Sequence, residues 1–320
     1  MATIVHELSW SSSRAGTFAE CKRRYYYDYY LSWTGWKSSA DPIRRQAWLL
    51  KKMTRLPMLA GEVLHNALES YFQQKEQGHV ASEQELVNQA VTQLRTGYKE
   101  SRDGTWKRRP ARMTRLAEHH YAEASIDEST GAAGDYGKRF VERIRGGLSA
   151  FFALEELQEV RAVEPARFLA CEEMGTIELF GTRVFAIPDF AFERQPSDVE
   201  GAATRVHIWD WKTGQPRAAD EFQLAVYVLY AGEKWGSAPL EVTCTDAYLP
   251  TRELRTMQFD DESCQATLGK IENSLTEMKA IHFDADAGVG DSESFPMIPE
   301  DSDQMSRSCG SCNYRELCNR

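Results

Sequence analysis

Along the first half of the chain, apolar positions recur at helical spacing. In "GEVLHNALESYFQQKEQ", Val63, Leu64, Ala67, Leu68, Tyr71 and Phe72 fall on one helical face, with His65 at the edge of that stripe. Upstream, "SWSSSRAGTFAECKRRYYYDYYL" offers Ser11 to Ser13 as helix caps, then a helical pattern that carries Cys21 and ends in an aromatic run. Its expected core face holds Phe18, Cys21 or Tyr25, and Tyr29. Residues 82 to 165 read as several helices with a break around "STGAAGDYG" and no strand-like alternation.

From about residue 166 the texture changes. "ARFLACEE", "GTIELFG", "TRVFAIPDFAFER" and "TRVHIWDWKT" are short apolar or β-branched stretches separated by Gly, Pro and polar residues, which predicts strands. "ADEFQLAVYVLYAGEKW" returns to helical spacing, "LEVTCTDAYLP" and "ELRTMQFD" read as strands, and "DESCQATLGKIENSLTEMKAI" as a long amphipathic helix. The expected architecture is α/β: a mixed sheet flanked by helices, with a helical insertion in the first half.

Composition narrows the class. A chain of 320 residues with 42% hydrophobic residues can bury a substantial core. It has no apolar run long enough to span a bilayer, and "MATIVHELSWSSSR" lacks the marks of a secretory signal, so the expectation is a cytoplasmic protein with no membrane partner. The formal net charge of −10 speaks against nucleic acid, but its distribution does not. Arg95, Lys99, Arg102, Lys107, Arg108, Arg109, Arg112 and Arg115 crowd one short segment, whereas residues 282 to 303 are acidic and carry no Lys or Arg. That basic segment is either a phosphate-binding face or a solvated helix surface.

The most chemical stretch is "VHIWDWKTGQP". In a strand, Asp210 and Lys212 share one face while Trp209 and Trp211 turn to the other. Asp189 follows a proline in the neighbouring candidate strand and can converge on Asp210. Two carboxylates around a hard cation, with an ammonium nearby, suit metal-assisted phosphodiester hydrolysis; a plain Asp–Lys ion pair has the same spacing. Gln223 and Tyr227, four apart, stack on one helical face.

Taken in order, "GEVLH", "PD" at 188 and 189, "DWK" at 210 to 212 and "QLAVY" at 223 to 227 resemble the PD-(D/E)XK nuclease superfamily, in particular its RecB-like exonuclease branch. The resemblance implies a restriction-endonuclease-like core in which His65, Asp189, Asp210 and the backbone carbonyl of Trp211 bind Mg²⁺ or Mn²⁺. It implies that Lys212 is catalytic and that Gln223 and Tyr227 shape the site. A histidine satisfied at a helix edge is the plainer reading of His65. Glu172 and Glu173 stand near a position where a further carboxylate can help.

The chain ends in "CGSCNYRELCNR", where Cys309, Cys312 and Cys318 follow C-x₂-C-x₅-C, a pattern that lacks a fourth ligand. Cys171, Cys244 and Cys264 lie in predicted strands or a helix, as small buried residues do. Cys21 instead precedes "KRRYYYDYY", and with Tyr314 in the C-terminal pattern it resembles the AddB and Cas4 type of RecB-like nuclease. There the resemblance implies a [4Fe–4S] cluster on Cys21, Cys309, Cys312 and Cys318 that clasps the two ends of the chain; structural Zn²⁺ fits the same spacing.

The reading is then one nuclease domain over 1–320: an N-terminal segment (1–60), a helical region (61–165), the catalytic core (166–281) and a C-terminal cysteine segment (282–320). The expected activity is a DNA exonuclease on single strands, with Lys107, Arg108, Arg109 and Arg112 as candidate nucleic-acid contacts. Its competitor is a binding or assembly subunit of a helicase–nuclease, CRISPR-adaptation or phage-defence complex that cuts little alone.

Overall fold

In the computed structural model, residues 5–195, 205–281, 284, 286 and 292–320 are described; part of the acidic stretch between 282 and 291 lies outside them. Ser9–Trp10 forms a short strand (β1), and extended Ser11 then caps helix Ser12–Glu20 (α1), its hydroxyl accepting the Arg14 N–H at 3.2 Å. Helix Leu56–Glu76 (α2) carries Pro57 in its first turn, where the missing N–H breaks no helical bond. Helix Glu83–Arg102 (α3) opens with a Ser82–Glu85 capping box. Helix Ala132–Ala153 (α4) follows Gly131, whose φ of 76° only glycine adopts freely.

That last boundary shortens the expected break at 129 to 137. Gly134 and Gly137 lie inside α4, because burial of Ala133, Phe140 and Ile144 outweighs the weak helix propensity of two glycines.

The strands follow: Phe168–Cys171 (β2), Gly175–Leu179 (β3), Thr182–Ala186 (β4), Phe190–Glu193 (β5) and Val206–Lys212 (β6). Helix Ala218–Trp235 (α5), strands Val242–Tyr248 (β7) and Glu253–Met257 (β8), and helix Asp261–Ala280 (α6) complete the core. The main sheet has the order β8-β7-β6-β5-β2, with β6 and β7 parallel and the other pairings antiparallel. A second sheet joins β1, β4 and β3. The two-residue turn Phe180–Gly181, both at positive φ, closes the β3–β4 hairpin.

"TRVFAIPDFAFER" is therefore not one strand but two, in different sheets. Pro188 cannot donate to a ladder, and the chain changes sheets at Ile187–Pro188–Asp189. This break leaves Asp189 at the end of β5 rather than within it.

Alternation along β6 sorts the core. Ile208 and Val206 pack on the side that holds α5 and the N-terminal aromatics, while Trp209 and Trp211 pack with Phe72 of α2 and Phe151 of α4 on the other. Tyr25, Tyr26, Tyr27 and Tyr30 are buried, so the aromatic run is core; Tyr29 is only partly so. The two ends of the chain meet there. Tyr314 donates its hydroxyl to Asp28 Oδ1 at 2.5 Å, Tyr27 donates to the Leu317 carbonyl at 3.2 Å, and the Asn313 amide reaches the carbonyls of Leu50 and Met53 at 3.2 and 2.8 Å.

Candidate active site

Parallel pairing of β6 and β7 and antiparallel pairing of β5 and β6 bring three carboxylate positions to one end of the sheet. Phe190 faces Trp209, so Asp189 comes beside Asp210, and Asp210 is in register with Asp246 of β7. Asp189, Asp210 and Asp246 are all buried. Such a concentration of carboxylates in a low dielectric is costly unless cations face it.

Two groups of partners do so. On the α2 side, His65 Nδ1 stands 3.1 Å from Glu172 Oε1 and 3.4 Å from Asp189 Oδ2. Ligand atoms of His65, Glu172 and Asp189 all lie within 4.8 Å of one another, close enough to hold one metal ion. Gly61 lets α2 approach this closely: a Cβ there would stand 3.0 Å from Thr213 Oγ1, just beyond Lys212. The G-x-x-x-H spacing is thus a packing requirement one turn from the imidazole.

On the α5 side, Lys212 Nζ pairs with Asp210 Oδ2, donates to Gln223 Oε1 at 2.9 Å, and has Asp246 and Asp220 at 3.6 and 3.8 Å. Gln223 spends its amide on Tyr227 Oη at 2.7 Å and Asp210 Oδ1 at 3.2 Å. Tyr227 in turn donates to the Ile187 carbonyl at 2.8 Å, at the proline-marked strand break, and stands 3.2 Å from Asp210 Oδ1. Helical spacing of Gln223 and Tyr227 is what lets one residue touch both Lys212 and Asp210.

The electrostatics follow from this placement. Burial and the neighbouring Asp210 raise the pKa of Asp189, against the pull of His65. Burial disfavours the His65 imidazolium, but Asp189 and Glu172 outweigh it and hold its pKa well above the ordinary value. For Lys212 burial likewise lowers, but Asp210 raises more, and the ammonium is favoured. Burial and then the charges of Asp210 and Asp189 push Tyr227 well above the phenol range.

Glu172, which the sequence marked only as a nearby carboxylate, is the third member of the His65 group. It sits just after β2 at φ 54°, a backbone region that non-glycine residues seldom adopt, and its N–H donates to the Asp189 carbonyl at 3.1 Å. Glu173 is exposed. Asp220 and Asp246 were not singled out in the sequence; an Asp in a helix's first turn or an Asp in a β-strand carries no signal until the strands are aligned.

The cleft over this centre, about 650 Å³, is walled by His65, Glu172, Asp189, Asp210, Lys212 and Gln223, with Arg143 and Arg217 at its exposed edge. Lys107, Arg108, Arg109 and Arg112 are exposed on the turn after α3 and do not line it. Arg143 of α4 and Arg217, scattered among other charges in the sequence, are the arginines that do.

The four cysteines Cys21, Cys309, Cys312 and Cys318 line a separate, small cavity together with Arg24, Tyr27 and Tyr314. None of them forms a disulfide. Cys21 Sγ accepts the Arg24 N–H and Cys312 Sγ the Tyr314 N–H, each at 3.4 Å. Burial pushes the Cys312 thiol up to about 11 and raises that of Cys318 as well. Cys171, Cys244 and Cys264 are elsewhere, and the latter two are buried in the core.

The strand ends of this α/β sheet gather buried carboxylates, an imidazole and a lysine under an open cleft, and His65, Glu172 and Asp189 there form a candidate site for a metal ion. The family model of the PD-(D/E)XK nuclease superfamily matches residues 9–319, and the chain belongs to that superfamily. Its members are nucleases that use divalent metals such as Mg²⁺ or Mn²⁺. No curated protein matches the chain. Among the described residues, no helix is long and apolar enough to cross a membrane.

Proposed function

We propose that this protein is a metal-dependent DNA nuclease that hydrolyses phosphodiester bonds, acting as an exonuclease on single strands. The observation that carries the reading is the His65–Glu172–Asp189 group beside the Asp210–Lys212–Gln223 network at one sheet end. Oxygen donors with one imidazole suit Mg²⁺ or Mn²⁺. The cleft is rich in carboxylates, which would repel a phosphate chain unless a cation stood between them.

His65, Asp189, Asp210 and the Trp211 carbonyl would hold the ion, with Glu172 as an added carboxylate. The Trp211 N–H already points to Asp189 Oδ2 at 2.6 Å, and in an antiparallel ladder the carbonyl of the same residue faces the same neighbour. A divalent ion there supplies Lewis acidity toward a phosphate oxygen and a lowered pKa for a bound water. Lys212 orients the attacking water or offsets charge as it builds on the phosphate. Gln223 and Tyr227 keep Lys212 and Asp210 in place, and Arg143 and Arg217 offer the polynucleotide its first phosphate contacts.

Four thiols on one small cavity, with Arg24 to offset thiolate charge, support a [4Fe–4S] cluster as the fastening of the two chain ends. Structural Zn²⁺ is the alternative, and metal and sulfide analysis of the purified protein separates them. The nuclease reading is tested by incubating 5′- and 3′-blocked single- and double-stranded DNA with Mn²⁺. Cleavage of single strands from the free end, lost in Asp210→Asn and in chelator, is the expected result; undiminished cleavage by Asp210→Asn defeats it.

A further inference from the structure

Asp246 is an anomaly that the proposed nuclease chemistry leaves unexplained. It lies in the interior strand β7, fully buried, and neither of its carboxylate oxygens accepts a hydrogen bond from the described residues. A buried carboxylate without such bonds is destabilising. An apolar residue would make a better core at this position, so the carboxylate calls for a reason other than stability.

Its surroundings supply one. The parallel register sets Asp246 directly beside Asp210, and Lys212 Nζ, at 3.6 Å, is its cation. Asp220, the other acid near Lys212, is already committed: its Oδ2 accepts the Tyr248 hydroxyl at 2.7 Å and the Arg217 N–H at 2.8 Å at the start of α5. Asp210, the nearest acid, is on the reading above a metal ligand and shares its charge with the ion when loaded. Asp246 has neither duty, and it faces Lys212 from the side away from the His65 group.

We infer that Asp246 is a positioning residue: its buried charge holds the Lys212 ammonium in the site from behind when Asp210 turns its carboxylate to a metal ion. Gln223 fixes Lys212 by a hydrogen bond from one side, and Asp246 anchors it by charge from another. The inference rests on the nuclease reading for its kinetic consequence but not for the contact itself.

The near-isosteric Asp246→Asn tests it in two independent ways. In Mn²⁺-loaded protein without DNA, the rate at which a small acylating reagent labels Lys212, read by peptide mass spectrometry, rises several-fold in the variant, because with Asp210 engaged by the ion no buried charge then holds the amine inward. With Mn²⁺ and single-stranded DNA, kcat falls by about tenfold or more while KM and the Mn²⁺ dependence stay put, as for residues that orient a ligand or catalytic group. The melting temperature stays level or rises. Unchanged labelling of Lys212 overturns the inference whether or not the protein cuts DNA, and so does a kcat loss matched by a lowered melting temperature. A wild-type protein that never cleaves, with labelling raised in the variant, refutes the nuclease reading and leaves the anchoring of Lys212 standing.

Discussion

The backbone N–H of Trp211 donates to Asp189 Oδ2 at 2.6 Å, tying the buried carboxylate at the start of β5 to the strand that carries Asp210 and Lys212. Asp189→Asn keeps an oxygen for that bond but loses the charge. Its expected phenotype is loss of cleavage and weakened Mn²⁺ binding with the melting temperature preserved. Asp189→Ala also strands the Trp211 N–H in a buried place and loses about 1–3 kcal/mol of stability besides. Calorimetric Mn²⁺ titration and thermal unfolding of the two variants decide; equal stability loss in both would contradict the assigned bond.

Gln223 bridges Lys212, Asp210 and Tyr227 through one amide. Gln223→Leu keeps the volume and removes all three contacts. Cleavage is expected to fall about 10–100-fold, the usual effect of losing a group that orients a ligand. Tyr227→Phe, which leaves the Lys212–Gln223 bond in place, falls less. The opposite ranking in kcat would show that the tyrosine, not the glutamine, organises the pair.

Acid stability hangs on His207. It is buried, bonds Thr245 Oγ1 at 2.8 Å through Nε2, and has Glu159 3.7 Å from Nδ1. Burial lowers its pKa to about 4, against Glu159 and with Arg194. The folded value lies below the ordinary 6.5, so the proton binds the unfolded chain more readily. Stability from this group is complete above about pH 6.5 and is lost as pH falls toward 4, on the order of 3 kcal/mol in all. Glu159, held at about 2 by His207 and Arg194 in spite of burial, adds a loss at lower pH. Melting temperatures of wild type and His207→Gln between pH 7 and 4 are expected to converge on acidification.

The cysteine cavity predicts equivalence of distant residues. On the proposed clasp, Cys21→Ser and Cys312→Ser are expected to abolish iron or zinc binding alike, and Cys244→Ala, in the core away from the cavity, to leave it intact. Iron and zinc content per chain is the measurement, and a Cys21→Ser protein with full metal content would break the clasp.

The sequence by itself determined the helical and strand periods, the shared face of Asp210 and Lys212, and the spacing of Gln223 and Tyr227. Each is a consequence of local geometry: a strand repeats every two residues, and a helix stacks positions four apart. Gly61 and His65 were legible as a pair in the same way. The break at Pro188 was visible as a residue but not as a change of sheet, because a proline forbids a ladder bond without saying where the chain goes next.

Only the tertiary structure decided which acids share the site. Glu172 and Asp246 reach it through strand order and register and Asp220 through the docking of α5, and register between β6 and β7 depends on the packing of whole faces, not on the residues around one aspartate. The same holds for Arg143 and Arg217. The dense basic stretch at 107 to 112 is conspicuous in the sequence yet does not line the cleft, while single arginines on separate elements do. Charge that converges in space from distant positions leaves no run to read along the chain.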